Sequence, residues 1–530
     1  MLAVLTAIPL LLPPQGQAAE PEADFDGYLV RLNDTGLQNS LTLFDTGSSR
    51  EVADGLYLVD GLEDAQIMEQ LGLVEYYEPN YRLELLDGEE AYTPTQWNTL
   101  AVHAQAAWDH TDASGSHDAR GDGVTVAVID SGVYAEHSDF NGTNILPYYD
   151  VAGTTSGVDG WHGTFVAGVI AAQVGNGIGV DGMAPNVTIL PICVTRNGNS
   201  YISWLVEAID YAVERGVDVI NLSIGGNTAS PSMEEACRKA LDAGIILVAA
   251  AGNYKAGQTQ SSSIYMYPAS FDGVVSVSAC RQENENVVFD NSYSYFNDRV
   301  TVAAPGTDIQ SLYLDGGVAV KEGTSFSAPV VTAMAAMAKQ RCPDISPETF
   351  IQLLCASAAD LGEPGYDIYY GYGLADIAAF LDALDRSYTI TYNLGMEGAT
   401  FPEGVQPPVS YVLGPEEISL PEPVRTGYRF LSWYETEDCS GEPVSAIPAG
   451  SVGDKTFYAA WACVEFWYFA QYDANGRMLA VTQLPNGEAD LEAVEPLEEA
   501  VTGKLFRLDD TGAPLQETRG IPLTPANQNA

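Results

Sequence analysis

The sequence predicts an α/β fold in which a parallel sheet is covered by helices on both faces. Between residues 121 and 386, short runs that are apolar throughout alternate with longer stretches of helical pattern. Such strands are typical of a parallel sheet buried on both sides, and parallel connections require the helices between them. One of the runs ends in Asp130, and Asn253 follows another by two residues. Sites in such sheets lie at the carboxyl ends of the strands, so we expect both side chains to face a site.

The strands and helices of this region can be placed in order along the chain. The run VTVAVID is apolar and ends in the acidic Asp130. The helix expected at 200–215 is amphipathic, with Leu205, Ile209 and Ala212 on one side. Strands are expected at 124–130, 187–195, 218–224 and 245–251, and helices at 164–173, 200–215 and 232–243.

A long helix is expected to begin near Ser325, in the stretch GTSFSAPVVTAMAAMAKQR. It carries no charge before Lys339, so it must be buried on most faces. A hydroxyl at its N-terminus lies beside free N–H groups and the positive end of the helix dipole, which favour developing negative charge. A serine that only caps the helix is the alternative interpretation.

Length, charge and cysteine content limit the classes of function. A chain of 530 residues is too long for one ordinary domain. Its 72 acidic and 22 basic residues give a net charge of −50, which leaves no basic surface for nucleic acid but suits the binding of hard cations. The seven cysteines include no CxxC pair, which argues against a zinc site and against a disulfide framework.

The ends of the chain differ from the α/β region. Residues 1–19 form an apolar segment followed by small residues, which resembles a secretory signal. No other run reaches the roughly 18 apolar residues of a spanning helix, so we expect a secreted protein with no membrane span in its mature form. Residues 24–87 alternate strand-like runs with a helix near 63–71, as in a small α+β unit. After residue 386 the chain is rich in aromatic, alternating strands.

Three distant side chains form a pattern for nucleophilic catalysis. A serine nucleophile needs a base that takes its proton and an acid that orients the base. Of the five histidines, only His162 precedes a helix of small residues. Asp130 ends a buried strand, where a lone carboxylate would be costly unless it is paired. Together with Ser325, these residues are candidates for a catalytic triad.

The motifs around these residues resemble those of the subtilisin family of serine endopeptidases, the subtilases. VAVIDSGV contains Asp130, HGTFVAG begins with His162, and GTSFSAPVV contains Ser325. The resemblance covers about residues 96–380, in the Asp–His–Ser order of subtilisin. It implies a subtilisin-like fold and a hydrolase that cleaves peptides through an acyl-enzyme intermediate.

The resemblance also implies roles for residues that stabilise the transition state and bind the substrate backbone. Asn253, in AAAGN, corresponds to the side-chain donor to the oxyanion, and the backbone N–H of Ser325 would be the second donor. Ser223, Ile224 and Gly225, in NLSIGG, correspond to the edge strand that pairs with an extended substrate.

Two further residues would contact substrate side chains. Gly252 would let a substrate side chain lie close to the backbone. Met266, two residues before Pro268, matches the base of the pocket for the side chain before the scissile bond (P1) and suggests medium-sized apolar P1 residues rather than basic ones. A methionine that only fills the core is the alternative.

A structural calcium ion is implied by the same resemblance. The loop QVGNGIGVDGMAP is similar to the family's calcium-binding loop, and backbone carbonyls with one carboxylate suit Ca²⁺. A surface turn with a helix-capping aspartate is the alternative. The expected ligands are Gln96, Asp139, Val174, Asn176, Ile178 and Val180.

The flanking regions also have relatives. Residues 20–90 are similar to subtilase propeptides, which assist folding and inhibit the enzyme, and residues 387–462 resemble the internalin B-type repeat of bacterial surface proteins. The predicted organisation is a signal-like segment (1–19), a propeptide (20–90), a catalytic domain (91–386), the repeat (387–462), a C-terminal β module (463–522) and a disordered tail (523–530).

The sequence therefore predicts a secreted bacterial serine endopeptidase that is made as a propeptide-inhibited zymogen. Its partners would be peptide or protein substrates, its own propeptide and, through the repeat, a cell-surface or extracellular ligand. Two alternatives stay open. One is a surface-binding protein whose protease domain is catalytically silent, and the other is a maturation protease with a narrow substrate.

Overall fold

The computed structural model describes residues 25–34, 37, 49–85, 96–111, 115–255, 257–426, 428–463, 466–484, 497, 500–508, 514–517 and 521–522. The signal-like segment 1–19 and the tail 523–530 lie outside these ranges. Contacts divide the chain into two compact units, Met1–Leu381 and Asp382–Ala530.

An antiparallel sheet and one helix form the N-terminal region, residues 25–85. The elements are β1 (Phe25–Leu32), β2 (Ser49–Ala53), β3 (Leu56–Val59), α1 (Leu62–Gln70) and β4 (Val74–Leu85). The strands pair in the order β4-β1-β3-β2. Val30 and Val59 pack against Ala65 and Met68 of α1, and all four side chains are buried. This region therefore has a small core of its own.

A largely parallel sheet forms the centre of the first unit. Its elements and those around it are α2 (Trp97–Ala101), α3 (Gln105–Asp109), β5 (Thr125–Asp130), β6 (Asn144–Ile145), β7 (Tyr149–Asp150), α4 (His162–Ala171), β8 (Thr188–Cys193), β9 (Ser200–Tyr201), α5 (Ile202–Glu214), β10 (Val219–Leu222), β11 (Ile224–Gly225), α6 (Pro231–Asp242), β12 (Ile246–Ala250), β13 (Val275–Glu283), β14 (Asn286–Phe289), β15 (Val302–Pro305), β16 (Ile309–Leu312), β17 (Val318–Lys321), α7 (Thr324–Arg341), α8 (Pro347–Ser357) and α9 (Ile377–Leu384). The sheet runs β14-β13-β12-β10-β5-β8-β6, with β15 beside β13 and β7 beside β8. Its pairs are parallel except for β13 with β14.

Alternate residues of the central strands face helices on opposite sides of the sheet. On β10, Ile220 and Leu222 lie in one apolar cluster with Ile209 of α5. Asn221, between them, faces the other side, where its Oδ1 accepts a hydrogen bond from the Thr332 hydroxyl of α7 at 2.8 Å. The sheet is therefore covered on both faces, which confirms the predicted fold class.

The predicted elements appear within a few residues of their expected positions, with two informative differences. The helix expected to begin at residue 164 begins at His162. The strand expected to run to residue 224 ends at Leu222, and Ser223 separates it from β11. The reason is that Ser223 bonds to Ser325 of α7 through both its carbonyl and its hydroxyl.

The second unit is built from strands around an aromatic core. Its elements are β18 (Ser387–Asn393), β19 (Ser410–Val412), β20 (Ile418–Ser419), β21 (Tyr428–Tyr434), β22 (Ala446–Ile447), β23 (Lys455–Cys463), β24 (Phe466–Tyr472), β25 (Met478–Gln483), β26 (Thr502–Leu508), β27 (Pro514–Glu517) and β28 (Ile521–Pro522). The first sheet has the order β19-β18-β23-β21, and a second has the order β25-β24-β26-β27. Trp433 is 1% exposed and packs with Ile390 and Phe457, and its indole N–H donates to Pro421 O at 3.1 Å.

Replacing Trp433 with alanine should destabilise the second unit by about 3–5 kcal/mol, because it empties the centre of this core. Leu431→Ala is the matched control, since Leu431 lies on the same strand and is 48% exposed. Urea unfolding followed by tryptophan fluorescence measures the difference. Equal midpoints for the two variants would show that Trp433 does not support the core.

Candidate active site

A buried pair of a carboxylate and an imidazole lies at the carboxyl end of the central sheet. Asp130 ends β5 and has no exposed surface, and His162 is the first residue of α4 and is 1% exposed. The Nδ1 atom of His162 lies 2.9 Å from both Oδ1 and Oδ2 of Asp130. The backbone N–H of Ser131 also donates to Oδ1, at 2.6 Å. The carboxylate thus holds the imidazole in one orientation, with Nε2 on the far side of the ring.

Ser325 occupies the second position of the buried helix α7. Its hydroxyl donates to Ser223 O at 3.2 Å, and its own carbonyl accepts from the Ser223 hydroxyl at 2.9 Å. The carbonyl needs this external donor because the residue four positions later is Pro329, which has no N–H. Phe326, which follows Ser325, lies 5.5 Å from the His162 ring between centroids. The first turn of α7, which carries Ser325, therefore lies beside the His162 ring.

Asn253 lies just beyond β12, at the same rim. Its Oδ1 accepts hydrogen bonds from the Thr324 backbone N–H at 3.1 Å and from the Thr324 hydroxyl at 2.8 Å. The Nδ2 atom is buried and has no hydrogen-bond partner in the described part of the chain. A buried N–H donor held against Thr324, the residue before Ser325, is suited to stabilising an oxyanion.

A cavity of about 310 Å³ adjoins Asn253. Gly252 has a φ of 112°, and a Cβ there would lie 2.8 Å from Tyr295 and 3.0 Å from Met266. Met266 is 6% exposed and lines the cavity. The predicted pocket residues are therefore together, and the pocket has an apolar side. The lining consists of Arg82, Gly225, Gly226, Asn227, Asn253, Lys255, Gln258, Met266 and Tyr295.

The last strand of the N-terminal region lies in the cleft like an extended peptide. β4 pairs antiparallel with β11, where Leu85 is opposite Ile224, and with β9, where Leu83 is opposite Ser200. Leu83 is 1% exposed and belongs to the main apolar cluster of the first unit. Backbone pairing on both sides together with a buried alternate side chain is how a sheet edge binds a peptide.

The same strand caps two helices of the α/β region. The Glu78 carboxylate is 7% exposed and accepts hydrogen bonds from the Ser230 hydroxyl and the Ser232 N–H, both at 2.9 Å, at the start of α6. Asn80 Oδ1 accepts from the Ser203 N–H at 2.8 Å, in the first turn of α5. Burial raises the pKa of Glu78 above its ordinary value. The N-terminal region thus satisfies N–H groups that the helices leave unpaired.

Three of the expected calcium ligands, Asp139, Asn176 and Val180, are joined by hydrogen bonds. Asp139 has no exposed surface, and its carboxylate accepts from the Asn176 side-chain N–H at 2.6 Å and from the Val180 N–H at 2.8 Å. A Cβ on Gly179 would collide with Asp139, so only glycine lets the loop approach so closely. The Gln96 amide exchanges two hydrogen bonds with the Asp181 backbone in the same loop.

Some of the oxygen atoms expected to bind calcium already accept hydrogen bonds within the protein. Asn176 presents its NH₂ group to Asp139, and its Oδ1 accepts from the Ile178 N–H at 2.9 Å. Burial raises the pKa of Asp139. No group of three or more His, Cys, Asp or Glu side chains suited to a metal occurs in the described residues. A cation here would therefore depend on amide and backbone oxygens together with the Asp139 carboxylate, which is a set that Ca²⁺ accepts. The Asp181 carboxylate lies in the same loop and accepts a hydrogen bond from the Gly175 N–H at 2.8 Å.

Several residues of the site were not singled out from the sequence. Thr324 orients Asn253, and Trp161 stacks on Tyr313 at 5.5 Å and lies 5.5 Å from the His162 ring. Phe326 packs 4.4 Å from Phe165 between ring centroids. Thr324, Phe326 and Trp161 each adjoin a predicted catalytic residue in the sequence, and that adjacency was the available signal.

Known protein families match two parts of the chain. Residues 121–373 match the subtilase family, and residues 388–460 match the Listeria-Bacteroides repeat domain. The chain is 36% identical over 299 residues to the minor extracellular protease Epr of Bacillus subtilis, which covers 55% of this chain and only 42% of that protein. It is 36% identical over 262 residues to subtilisin DY of Bacillus licheniformis, which covers 49% of this chain and 91% of that protein.

A solved structure has a similar fold. Fervidolysin from Fervidobacterium pennivorans, described as a keratinolytic enzyme related to subtilisin, superposes with a TM-score of 0.60 at 20% identity. The match covers 94% of this chain and 91% of fervidolysin. No helix in the described ranges is long and apolar enough to cross a membrane.

Removing the Glu78 carboxylate should loosen the start of α6. A lost helix cap costs about 0.5–2 kcal/mol, so we expect the Ser232 amide to exchange hydrogen roughly two- to thirtyfold faster in Glu78→Ala. Hydrogen exchange with mass spectrometry of the full-length chain measures this rate. Glu75→Ala is the control, because Glu75 lies exposed on the same strand. Identical protection of Ser232 in both variants would contradict the capping role.

Proposed function

This chain belongs to the subtilase family, and from that premise we propose that it is a secreted serine endopeptidase with Asp130, His162 and Ser325 as its catalytic triad. The relatives confirm the predicted enzyme class, a subtilisin-type serine hydrolase, at the level of the family. The observation that carries the proposal is the buried Asp130–His162 pair at 2.9 Å, beside the helix that begins at Thr324 and carries Ser325.

Each catalytic residue has a distinct role in peptide hydrolysis. The Ser325 hydroxyl attacks the substrate carbonyl while His162 accepts its proton, and His162 then donates that proton to the departing amine. Asp130 stabilises the imidazolium form, and Asn253 Nδ2 with the Ser325 N–H stabilises the oxyanion. A water molecule, deprotonated by His162, then hydrolyses the acyl-enzyme and restores the serine.

Substrates would bind as an additional strand. Ser223, Ile224 and Gly225 would pair with the substrate backbone, and Gly252 and Met266 would contact an apolar P1 side chain. The pairing of β4 with β9 and β11 supports this mode, because β4 already uses the same edges.

The N-terminal region would act as the inhibitor of the zymogen. β4 lies in the cleft where a substrate would bind, and Glu78 and Asn80 cap helices α6 and α5. The helix caps would stabilise the folded α/β region, and the β4 strand would keep the cleft covered. Release of this region would therefore open the site.

The C-terminal repeat supports a second candidate function, the binding of a cell-surface or extracellular ligand by a catalytically silent protein. The match of residues 388–460 to the Listeria-Bacteroides repeat favours it. A fluorophosphonate probe distinguishes the two, because it reacts covalently with an activated serine. Labelling of Ser325 after release of the N-terminal region supports the protease, and no labelling of that form supports the binding protein. A maturation protease with one narrow substrate would also be labelled but would fail to cleave a peptide library.

A structural calcium ion would be held by Asp139, Asn176, Gln96 and the carbonyls of Val174, Ile178 and Val180. It would stabilise the loop between α4 and β8 and take no part in the chemistry. The proximity of Asp139, Asn176 and Val180 supports this assignment.

Ser325→Ala should abolish peptide hydrolysis and leave the N-terminal region attached. In the wild type we expect cleavage one residue beyond Leu85, after Leu86, so that the mature chain begins at Asp87 rather than at residue 91, where the domain boundary is predicted from the sequence. The reason is that Leu85 pairs with Ile224, and the adjacent Ser223 carbonyl accepts the Ser325 hydroxyl. Leu86 and Asp87 themselves lie outside the described residues. Mass spectrometry and N-terminal sequencing give the result.

Ser327→Ala is the control for this experiment. Ser327 is a buried serine of the same helix whose hydroxyl donates to Ala304 O at 3.1 Å, so its loss tests folding without touching the nucleophile. Complete processing of Ser325→Ala made alone would refute the assignment of the nucleophile.

Calcium should raise the thermal stability of the wild type. At about 100 times the dissociation constant, a bound ion contributes about 2.7 kcal/mol, or roughly 5–10 °C in Tm for a domain of this size. Differential scanning calorimetry with calcium or with EDTA measures the shift. It should vanish in Asp139→Asn and persist in Asp272→Asn, a change at a 91% exposed carboxylate paired with Arg299. An unchanged Tm on adding calcium to the wild type would eliminate the site.

A further inference from the structure

A series of buried hydrogen bonds runs from the middle of α7 through the central sheet to Ser325. The Thr332 hydroxyl donates to Asn221 Oδ1 at 2.8 Å. The Asn221 side-chain N–H donates to the Ser223 hydroxyl oxygen at 3.0 Å, and that hydroxyl donates to Ser325 O at 2.9 Å. We call these four residues the Asn221 network.

The Asn221 network lies where polar side chains are costly. None of its four residues has exposed surface. A buried amide or hydroxyl destabilises a fold unless it is hydrogen-bonded, whereas a leucine at position 221 would pack against α7 without that cost. Natural sequences depart from an apolar core mainly at functional sites. An amide in the interior of the sheet therefore indicates a role beyond packing.

The backbone of Asn221 lies in a rigid part of the sheet. It belongs to β10, where it is opposite Val128 of β5 and Val248 of β12. β5 ends with Asp130, and β12 leads to Asn253. The Asn221 side chain thus extends from a strand that is paired on both sides with the strands that position two other proposed catalytic residues.

The orientation of the Asn221 amide directs the remaining hydrogen bonds. Its oxygen accepts from Thr332, so its NH₂ group points to Ser223. The Ser223 oxygen then serves as an acceptor, and its hydrogen is directed at Ser325 O. The Thr332 hydroxyl also lies 3.1 Å from Ala328 O, which is the longer of its two contacts.

The network connects two turns of α7 that lie on either side of a proline. Pro329 has no N–H to donate to Ser325 O, four residues earlier in the helix. Thr332 lies one turn beyond Ala328, to which its hydroxyl is close. The turn that carries Ser325 is therefore linked to the turn that carries Thr332 by side chains of β10 and of the residue after it.

We propose that Asn221 is a positioning residue for the proposed nucleophile and that Thr332 anchors it. Acting through the Ser223 hydroxyl, Asn221 holds the Ser325 carbonyl and with it the first turn of α7. This inference rests on the proposed endopeptidase function and adds two residues to its site. Neither residue would touch the substrate. Their effect is to restrict the position of Ser325, and a displacement of about 1 Å can cost as much as about a hundredfold in rate.

Asn221→Leu tests the proposal in the full-length chain, because leucine has a similar size and no hydrogen-bonding group. After release of the N-terminal region, we expect kcat to fall about tenfold for a fluorogenic peptide that carries LELL, residues 83–86, before the bond. KM should stay within roughly twofold, since the network includes neither Gly252 nor Met266. The rate constant for fluorophosphonate labelling of Ser325 should fall by the same factor as kcat.

Thr332 variants reach the same network from the helix. Thr332→Val keeps the shape of the side chain and should lower kcat and the labelling rate about threefold, whereas Thr332→Ser should restore both. Ser327→Ala is the control, because the buried Ser327 hydroxyl donates to Ala304 O and lies closer in the chain to Ser325 than Thr332 does. If Asn221→Leu does not fold, the Thr332 pair decides on its own.

A double-mutant cycle separates positioning from a general loss of stability. Ser223→Ala removes the last donor of the network and should lower kcat about tenfold. Because Asn221 acts through the Ser223 hydroxyl, adding Asn221→Leu to Ser223→Ala should change kcat by less than roughly twofold. Two independent effects on the fold would multiply instead.

The outcomes separate this proposal from the one on which it rests. Wild-type kcat and labelling rates in both Asn221→Leu and Thr332→Val, or multiplied losses in the double variant, would overturn the positioning role and leave the endopeptidase function intact. A wild type that neither cleaves the peptide nor is labelled at Ser325 would overturn the endopeptidase function and the positioning role with it.

Discussion

The pairing of a fully buried carboxylate with a buried imidazole is the interaction on which this molecule depends. Asp130 has no contact with solvent, so its charge must be balanced inside the protein, and His162 Nδ1 with the Ser131 N–H provides that balance. The pair exists because β5 lies inside a sheet whose parallel strands end at one rim. Ser223 follows β10 and Asn253 follows β12 at that rim.

The two helices that begin at the rim complete the arrangement. α4 starts with His162 and α7 carries Ser325 in its first turn, so both side chains are fixed by buried helices. Pro329 leaves the Ser325 carbonyl without its helical donor, and the Ser223 hydroxyl supplies one instead. Ser325, the proposed nucleophile, is thereby tied to the strand edge proposed to bind the substrate. The hydrogen bonds that position Ser325 are therefore made to Ser223, a residue of the edge proposed to bind the substrate.

The N-terminal region binds the cleft by strand pairing, as a substrate would, and two of its side chains also cap helices. β4 pairs with both edges of the cleft and buries Leu83, while Glu78 and Asn80 cap α6 and α5. Since the caps lie away from the nucleophile, cutting the chain near Leu85 would leave them intact. A region held in this way would stay bound after cleavage until it is displaced or degraded. That is the behaviour expected of an inhibitor rather than of a substrate.

The sequence by itself determined the fold class, the family and the candidate triad, because each depends on short patterns. Apolar runs specify buried strands, and the residues around Asp130, His162 and Ser325 form motifs a few residues long. Where the structure differs from the sequence prediction, contacts between distant residues are the cause. The strand β10 ends before residue 224 because Ser223 bonds to Ser325, which lies 102 residues further on. The hydrogen bond from Thr324 to Asn253 and the contact of the Lys321 ammonium group with the Trp161 ring likewise depend on the tertiary structure alone. The physical reason is that periodicity shows which face of an element is buried, whereas the partner of that face depends on how the elements pack.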